Sequence, residues 1–230
     1  MKTHYIHIKS KLQIGYITVQ GGNRIGIVGS GVFNEKNNII NLNYISSLNF
    51  RISRQVLGCS NSIMTEIWNS QKDNIYNTLI ASAPGIGKTT LLKDITRNIS
   101  NGRCKRRGLS VSVIDERGEI AATHKGMMQN DLGIRTDVLD NIPKFIGMKM
   151  AIRSMAPDVI VADEIGGKED VEAIKYALRC GVKGIFTAHA TSIEELKKNP
   201  AISSLIEEKV FEKIIILKNR NGNNFDKVIY

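Results

Sequence analysis

The stretch Ala81-Ser82-Ala83-Pro84-Gly85-Ile86-Gly87-Lys88-Thr89-Thr90 constrains this chain more than any other. It follows the apolar pair Leu79-Ile80 and opens a helix-like segment from Leu91 to Ile99, so a strand precedes the loop and a helix follows it. In that setting glycines let backbone N–H groups turn inward around phosphate oxygens, and the helix N-terminus adds the positive end of its dipole. Ser82, Ala83, Pro84, Gly85, Ile86, Gly87, Lys88, Thr89 and Thr90 are therefore the candidate nucleotide-binding residues. Lys88 suits the β- and γ-phosphates, and the Thr89 hydroxyl suits Mg²⁺. The pattern G-x-x-x-x-G-K-[ST] is met except at its first glycine, where Ser82 stands, a residue small enough to keep the loop.

A second signal is Pro157-Asp158-Val159-Ile160-Val161-Ala162-Asp163-Glu164, whose Asp163 lies 75 residues beyond Lys88. An apolar strand here ends in two carboxylates, at the sheet edge where α/β proteins bind ligands. Asp163 is the candidate to orient Mg²⁺ or its water ligand, and Glu164 to polarise the water that attacks the γ-phosphate. Between the two motifs Ser110–Ile114 reads as another strand, ending in Asp115-Glu116-Arg117-Gly118-Glu119, which brings Glu116 and Glu119 toward the metal and water or leaves them as a solvated turn. This extra strand points to the RecA-like group of P-loop proteins. A third strand end, Phe186-Thr187-Ala188-His189, offers a hydroxyl and an imidazole that could sense a phosphate; a lone histidine can equally be structural.

Around these motifs the chain reads as two segments. Residues 1–70 are β-rich, with strands expected at Ile14–Val19, Arg24–Val28, Ile39–Leu42 and Leu48–Ile52, a Gly21-Gly22 turn and a short helix at Ile63–Trp68. These strands are too few to close a core alone. Residues 71–230 alternate: strands at Asn77–Ala81, Ser110–Ile114, Asp158–Ala162 and Gly184–Thr187, helices at Thr89–Ile99 and Glu169–Cys180, then an antiparallel pair, Lys213–Lys218 and Phe225–Tyr230. The fold class is α/β, a RecA-like P-loop core behind a short, incomplete β-rich domain.

Composition narrows the partners. Lys and Arg number 32 against 22 Asp and Glu, a net charge of +10 that suits a nucleotide, a nucleic acid or an anionic membrane face. The densest cluster, Arg103, Lys105, Arg106 and Arg107, fits a solvated turn as well. No apolar run approaches the ~18 residues of a membrane span, and the first residues lack a signal-peptide core, so a cytosolic protein is expected. Cys59, Cys104 and Cys180 stand apart from any C-x-x-C spacing, which suits free thiols.

Taken together, Val113–Ala121, Gly133–Asp140, Pro143-Lys144 and Ile152–Gly166 resemble the stage III sporulation protein AA family, the ATPases of an endospore channel, which is similar to the hexameric type II and type IV secretion ATPases. The resemblance runs from about Lys11 to Tyr230. It implies ATP and Mg²⁺ as ligands, a homo-hexamer, membrane channel proteins of the sporulation complex as partners, and a place in the mother-cell cytoplasm against a membrane. It also implies an acidic box on Asp115, Glu116 and Glu119, a Walker B glutamate on Glu164 and a histidine box on Thr187–His189. Many secretion ATPases have Gly where this chain has Asp163. Arg51, Arg54 and Arg153 fall where the pattern has phosphate-reaching arginines. That family usually has more residues upstream, so the chain is expected to be a short or truncated form. Two other readings stay open: a nucleic-acid motor, which the 6% aromatic content and the lack of a ribonucleoprotein motif disfavour, and a non-hydrolysing nucleotide-binding scaffold.

Overall fold

The computed structural model describes residues 15–69, 71, 73–102, 106–219 and 224–229. They fall into two compact units: one runs to Arg54 and takes in Ala122–Asn130, the other comprises Gln55–Ala121 and Asp131–Tyr230.

In the first unit β1 (Tyr16–Val19), β2 (Asn23–Phe33) and β3 (Ile39–Arg51) form an antiparallel sheet in that order. Gly21 and Gly22 turn the chain at φ +82° and +74°, and a Cβ on Gly22 would lie 2.3 Å from Cβ of Ala122, so the turn admits only glycine there. The two strands expected between Ile39 and Ile52 are one. The pairing shifts register opposite Gly29, where Tyr44 at φ +49° absorbs the extra residues instead of ending the strand. Ile14 lies outside the described residues, as do Arg103, Cys104, Lys105 and the turn at 220–223.

The second unit runs α1 (Met64–Ile67), β4 (Trp68–Asn69), β5 (Asn74–Ile75), β6 (Thr78–Ser82), α2 (Lys88–Asn101), β7 (Val111–Asp115), β8 (Thr136–Asp140), α3 (Lys144–Ser154), β9 (Val159–Ala162), α4 (Lys168–Arg179), β10 (Lys183–His189), α5 (Ile193–Lys197), α6 (Pro200–Glu207), β11 (Lys213–Leu217) and β12 (Phe225–Ile229). Its sheet has the order β12-β11-β6-β10-β9-β7-β8, parallel from β11 to β8, with β12 antiparallel on the edge. The central strands are buried along nearly their whole length and mostly apolar because both faces are covered. Leu79, Ala81, Ile160, Ala162, Ile214 and Ile216 face a core shared with α3, α4 and α6. Ile80, Val159, Val161, Ile215 and Leu217 face the other, shared with α1 and α2.

Ile63, Met64, Ile67 and Trp68 are buried in that second core, and the second compact unit begins at Gln55, upstream of the expected boundary at residue 70. The Arg106 guanidinium lies 5.3 Å from the Trp68 ring centroid, so at least one member of the basic cluster has a packing role. Cys59 is half-buried and burial pushes its thiol up to about 11, while Cys180 is exposed; both are free. No helix among the described residues is long and apolar enough to cross a membrane.

One buried carboxylate fastens the segment before β4 to α2. Asp94 accepts the N–H of Gly58 (3.0 Å), the N–H and hydroxyl of Ser60 (2.9 and 2.7 Å) and the guanidinium of Arg97 (3.0 Å). Burial alone would raise its pKa; the bonds from Ser60, Gly58 and Arg97 outweigh it and hold the carboxyl below its ordinary 3.8. A depressed folded pKa means that the stabilisation is complete above pH ~4 and is lost as pH falls through the lower folded value. Asp94→Asn should therefore cost about 2–4 kcal/mol at pH 7 in a denaturant titration, and the gap to wild type should close below pH ~4. A gap that stays constant with pH would contradict this.

Candidate functional site

The parallel register sets the C-terminal ends of β6, β10, β9 and β7 side by side. His189 pairs with Ser82, Phe186 with Ala162, and Ile114 with Ala162. The residues just beyond these positions are the ones that the sequence marks for chemistry.

Ser82 is the last residue of β6 and is buried; its hydroxyl donates to the Ala83 carbonyl (2.9 Å), and its own carbonyl accepts the Ala190 N–H (3.3 Å). A serine fits where the motif has glycine because the residue is still strand, ahead of the turn. Ala83, Pro84, Gly85 and Ile86 make the turn, with Gly85 at φ +77°. Gly87, at φ +102°, precedes the first turn of α2, and no side chain caps that helix end. Its first N–H groups and its dipole are left for an anion.

Lys88 is 5% exposed. Burial pushes its pKa down, while the carboxylates of Asp163 and Glu164 pull it back up. Its ammonium donates to Nδ1 of His189 (3.1 Å), and Nε2 of His189 lies 2.8 Å from Oε1 of Glu164. An ammonium can only donate, so Nδ1 is the acceptor and the imidazole proton sits on Nε2, directed at Glu164. The other Glu164 oxygen is paired with Nη1 of Arg117. Burial would raise the Glu164 pKa, but His189, Arg117 and Lys88 together hold it below the ordinary value, so the carboxyl is ionised.

A second chain of contacts runs alongside. The Thr89 hydroxyl donates to Oδ2 of Asp163 (2.7 Å). The Thr187 hydroxyl donates to Oδ1 of Asp163 and accepts the Glu164 N–H (2.8 Å). Glu164 holds φ +53°, a left-handed conformation uncommon for a residue with a Cβ and the kind of strain that collects at functional sites.

Asp115 is a structural anchor. It is buried and accepts three N–H groups, from Glu119 (2.8 Å), Ile120 (3.0 Å) and Ala121 (2.8 Å), folding the loop after β7 into a fixed turn. Desolvation outweighs these bonds and raises its pKa. Glu116 and Glu119 line one pocket with Asp163 and Glu164, but Glu116 is ion-paired with Lys144. Arg117 and Lys144 went unmarked as site residues in the sequence reading; the signal for Arg117 was a cation embedded among acids at a strand end.

Arg153 is not brought to this edge. It lies in the last turn of α3, which leads back to the opposite sheet edge, where Met155 accepts a hydrogen bond from Ser112 near the start of β7 (3.5 Å). Arg51 and Arg54 belong to the first unit.

A family model described as "Sporulation stage III, protein AA" matches residues 3–230. The chain belongs to this family. It is 39% identical over 223 residues to Stage III sporulation protein AA of Bacillus subtilis, a match spanning 97% of this chain and 71% of that protein. Among solved structures, the Legionella pneumophila ATPase DotB aligns with a TM-score of 0.57 at 17% identity, over 85% of this chain and 53% of that one. The pilus retraction motor PilT, solved with bound ADP, aligns at 0.53 and 14%, over 85% and 55%. This chain thus shares the fold of these P-loop ATPases and spans little more than half the length of those solved chains.

Replacing Asp115 with Ala would strand the buried N–H groups of Ile120 and Ala121 and the part-buried N–H of Glu119. Chemical denaturation should show a loss of about 3 kcal/mol or more, and a loss under 1 kcal/mol would mean that the turn folds without it.

Proposed function

We propose that this chain binds ATP with Mg²⁺ at the strand ends and hydrolyses it, working as a ring, a hexamer, that powers or assembles a membrane channel during sporulation from the cytoplasmic side. The observation that carries the reading is the linked set Lys88–His189–Glu164 beside Thr89–Asp163: a cation and a carboxylate joined through one imidazole, next to a hydroxyl and a second carboxylate. Family membership and the P-loop fold support it.

The residues suit the ligands. A Cβ built on Gly85 meets nothing within 4 Å, so the loop leaves open room beside it. Thr89 and Asp163 offer hard oxygens of the kind Mg²⁺ takes. Among the described residues no group of three or more His, Cys, Asp or Glu could hold a metal, so phosphate and water would supply the remaining ligands. Bound there, Mg²⁺ would offset the negative charge of the phosphates. The loop N–H groups and Lys88 would hold the phosphates, Thr89 and Asp163 would hold the metal, and Glu164 would take the proton of the attacking water. In a ring, Arg153 would reach a site only from another copy of the chain; Arg51 and Arg54 are further candidates for that role.

Lys88→Ala should remove ATP binding in a calorimetric titration. Glu164→Gln should keep binding and slow turnover by roughly 10²-fold or more. Unchanged ATP affinity in the first variant, or wild-type turnover in the second, would overturn the assignment. Turnover per chain should also fall on dilution as sedimentation shows the assembly dissociate, since an arginine supplied in trans is worth ~10³–10⁵ in related chemistry; constant activity in a monomer would reject the ring.

A further inference from the structure

Arg117 reaches the carboxylate that the proposed reaction uses as its base, from a loop built to hold it still. We infer that Arg117 is a positioning residue for Glu164, fixing its carboxylate so that hydrolysis can use it. This rests on the reading of Glu164 as the base.

Glu164 would otherwise be poorly determined. A glutamate side chain has three rotatable bonds, and a base displaced by an ångström loses much of its effect. His189 holds one oxygen, at 2.8 Å, and that contact ties Glu164 to Lys88, whose own hydrogen bond to Nδ1 competes with any phosphate it meets. When Lys88 turns to a phosphate, the imidazole loses its anchor. Arg117 holds the other oxygen independently of Lys88. Each carboxylate oxygen has two lone pairs, so the ion pair leaves acceptor capacity for a water.

The loop is the second observation. Asp115 gathers the N–H groups of Glu119, Ile120 and Ala121, the Gly118 N–H bonds the Asp115 carbonyl at 3.2 Å, and Gly118 takes φ +64°. The backbone on either side of Arg117 is thus fixed to a buried residue at the end of β7. The Glu164 backbone is fixed as well, by its N–H bond to Thr187. Two rigid supports meet through one ion pair. The Arg117 side chain is 63% exposed, so removing it opens no cavity.

The test uses the whole chain with ATP and Mg²⁺. Arg117→Ala should lower kcat about 10-fold or more, within the 10²–10⁴-fold that a placed base supplies, while KM and calorimetric ATP affinity stay within about twofold. Arg117→Lys should recover part of the loss. In the double variant with Glu164→Gln, turnover should be no lower than in Glu164→Gln alone, because Arg117 acts through that carboxylate. A crystal structure of Arg117→Ala with a non-hydrolysable ATP analogue and Mg²⁺, in which Lys88 turns to the phosphates, should show Glu164 in a new rotamer. Unchanged or raised kcat, additive losses in the double variant, a fall in ATP affinity matching that in kcat, or an unmoved Glu164 would each overturn the inference. Wild-type protein that binds ATP without turning it over would reject the hydrolysis reading itself. Normal wild-type turnover with any of those variant results rejects the role of Arg117 alone.

Discussion

A lysine with little access to water, at the positive end of a helix, is the feature on which this site depends. Lys88 begins α2 where the dipole repels a cation, and burial further disfavours its charge. Two remedies are available: nearby carboxylates and acceptors, or a bound anion. The fold supplies the first through Asp163, Glu164 and His189, all at the ends of strands adjacent to or one removed from β6. Because uncapped N–H groups surround the same spot, an arriving anion finds donors already oriented. The strand order β6-β10-β9 therefore brings the counter-charges to Lys88.

Thr187 shows how closely the supports interlock. One hydroxyl donates to Asp163 and accepts from Glu164, so the carboxylate beside Thr89 and the left-handed backbone of Glu164 share a single brace on β10. Such brief strain persists only when neighbours over-determine it. Here they do: the Ile165 N–H also bonds the Thr187 carbonyl at 2.8 Å.

Much of this was legible in the chain. The strands that read clearly, such as Val159–Ala162, are buried on both faces and so carry unbroken apolar runs. Strand Thr136–Asp140 had no such signal because it lies at the sheet edge and buries only Thr136 fully. Helix Lys144–Ser154 went unread since Gly147 interrupts its pattern and it buries just Gly147, Met148 and Ala151. Long β3 was split in two by Tyr44-containing sequence that the structure handles as a bulge. At the site, Lys88, Thr89, Asp163, Glu164 and His189 were marked by local motifs, and the fold brings them together. Pairings across the sheet were beyond such reading: Arg117 with Glu164 and Glu116 with Lys144 link residues 47 and 28 positions apart. Arg153 sits beside a Pro-Asp motif in the sequence, but the helix it ends leads to the far edge.

Native mass spectrometry with and without ATP and Mg²⁺ tests the central claim most directly, that the strand ends form one nucleotide-and-metal site per chain. The account predicts a mass gain of one nucleotide and one Mg²⁺ for each chain. Chains that stay bare at saturating ATP and Mg²⁺, with the protein folded, would contradict it.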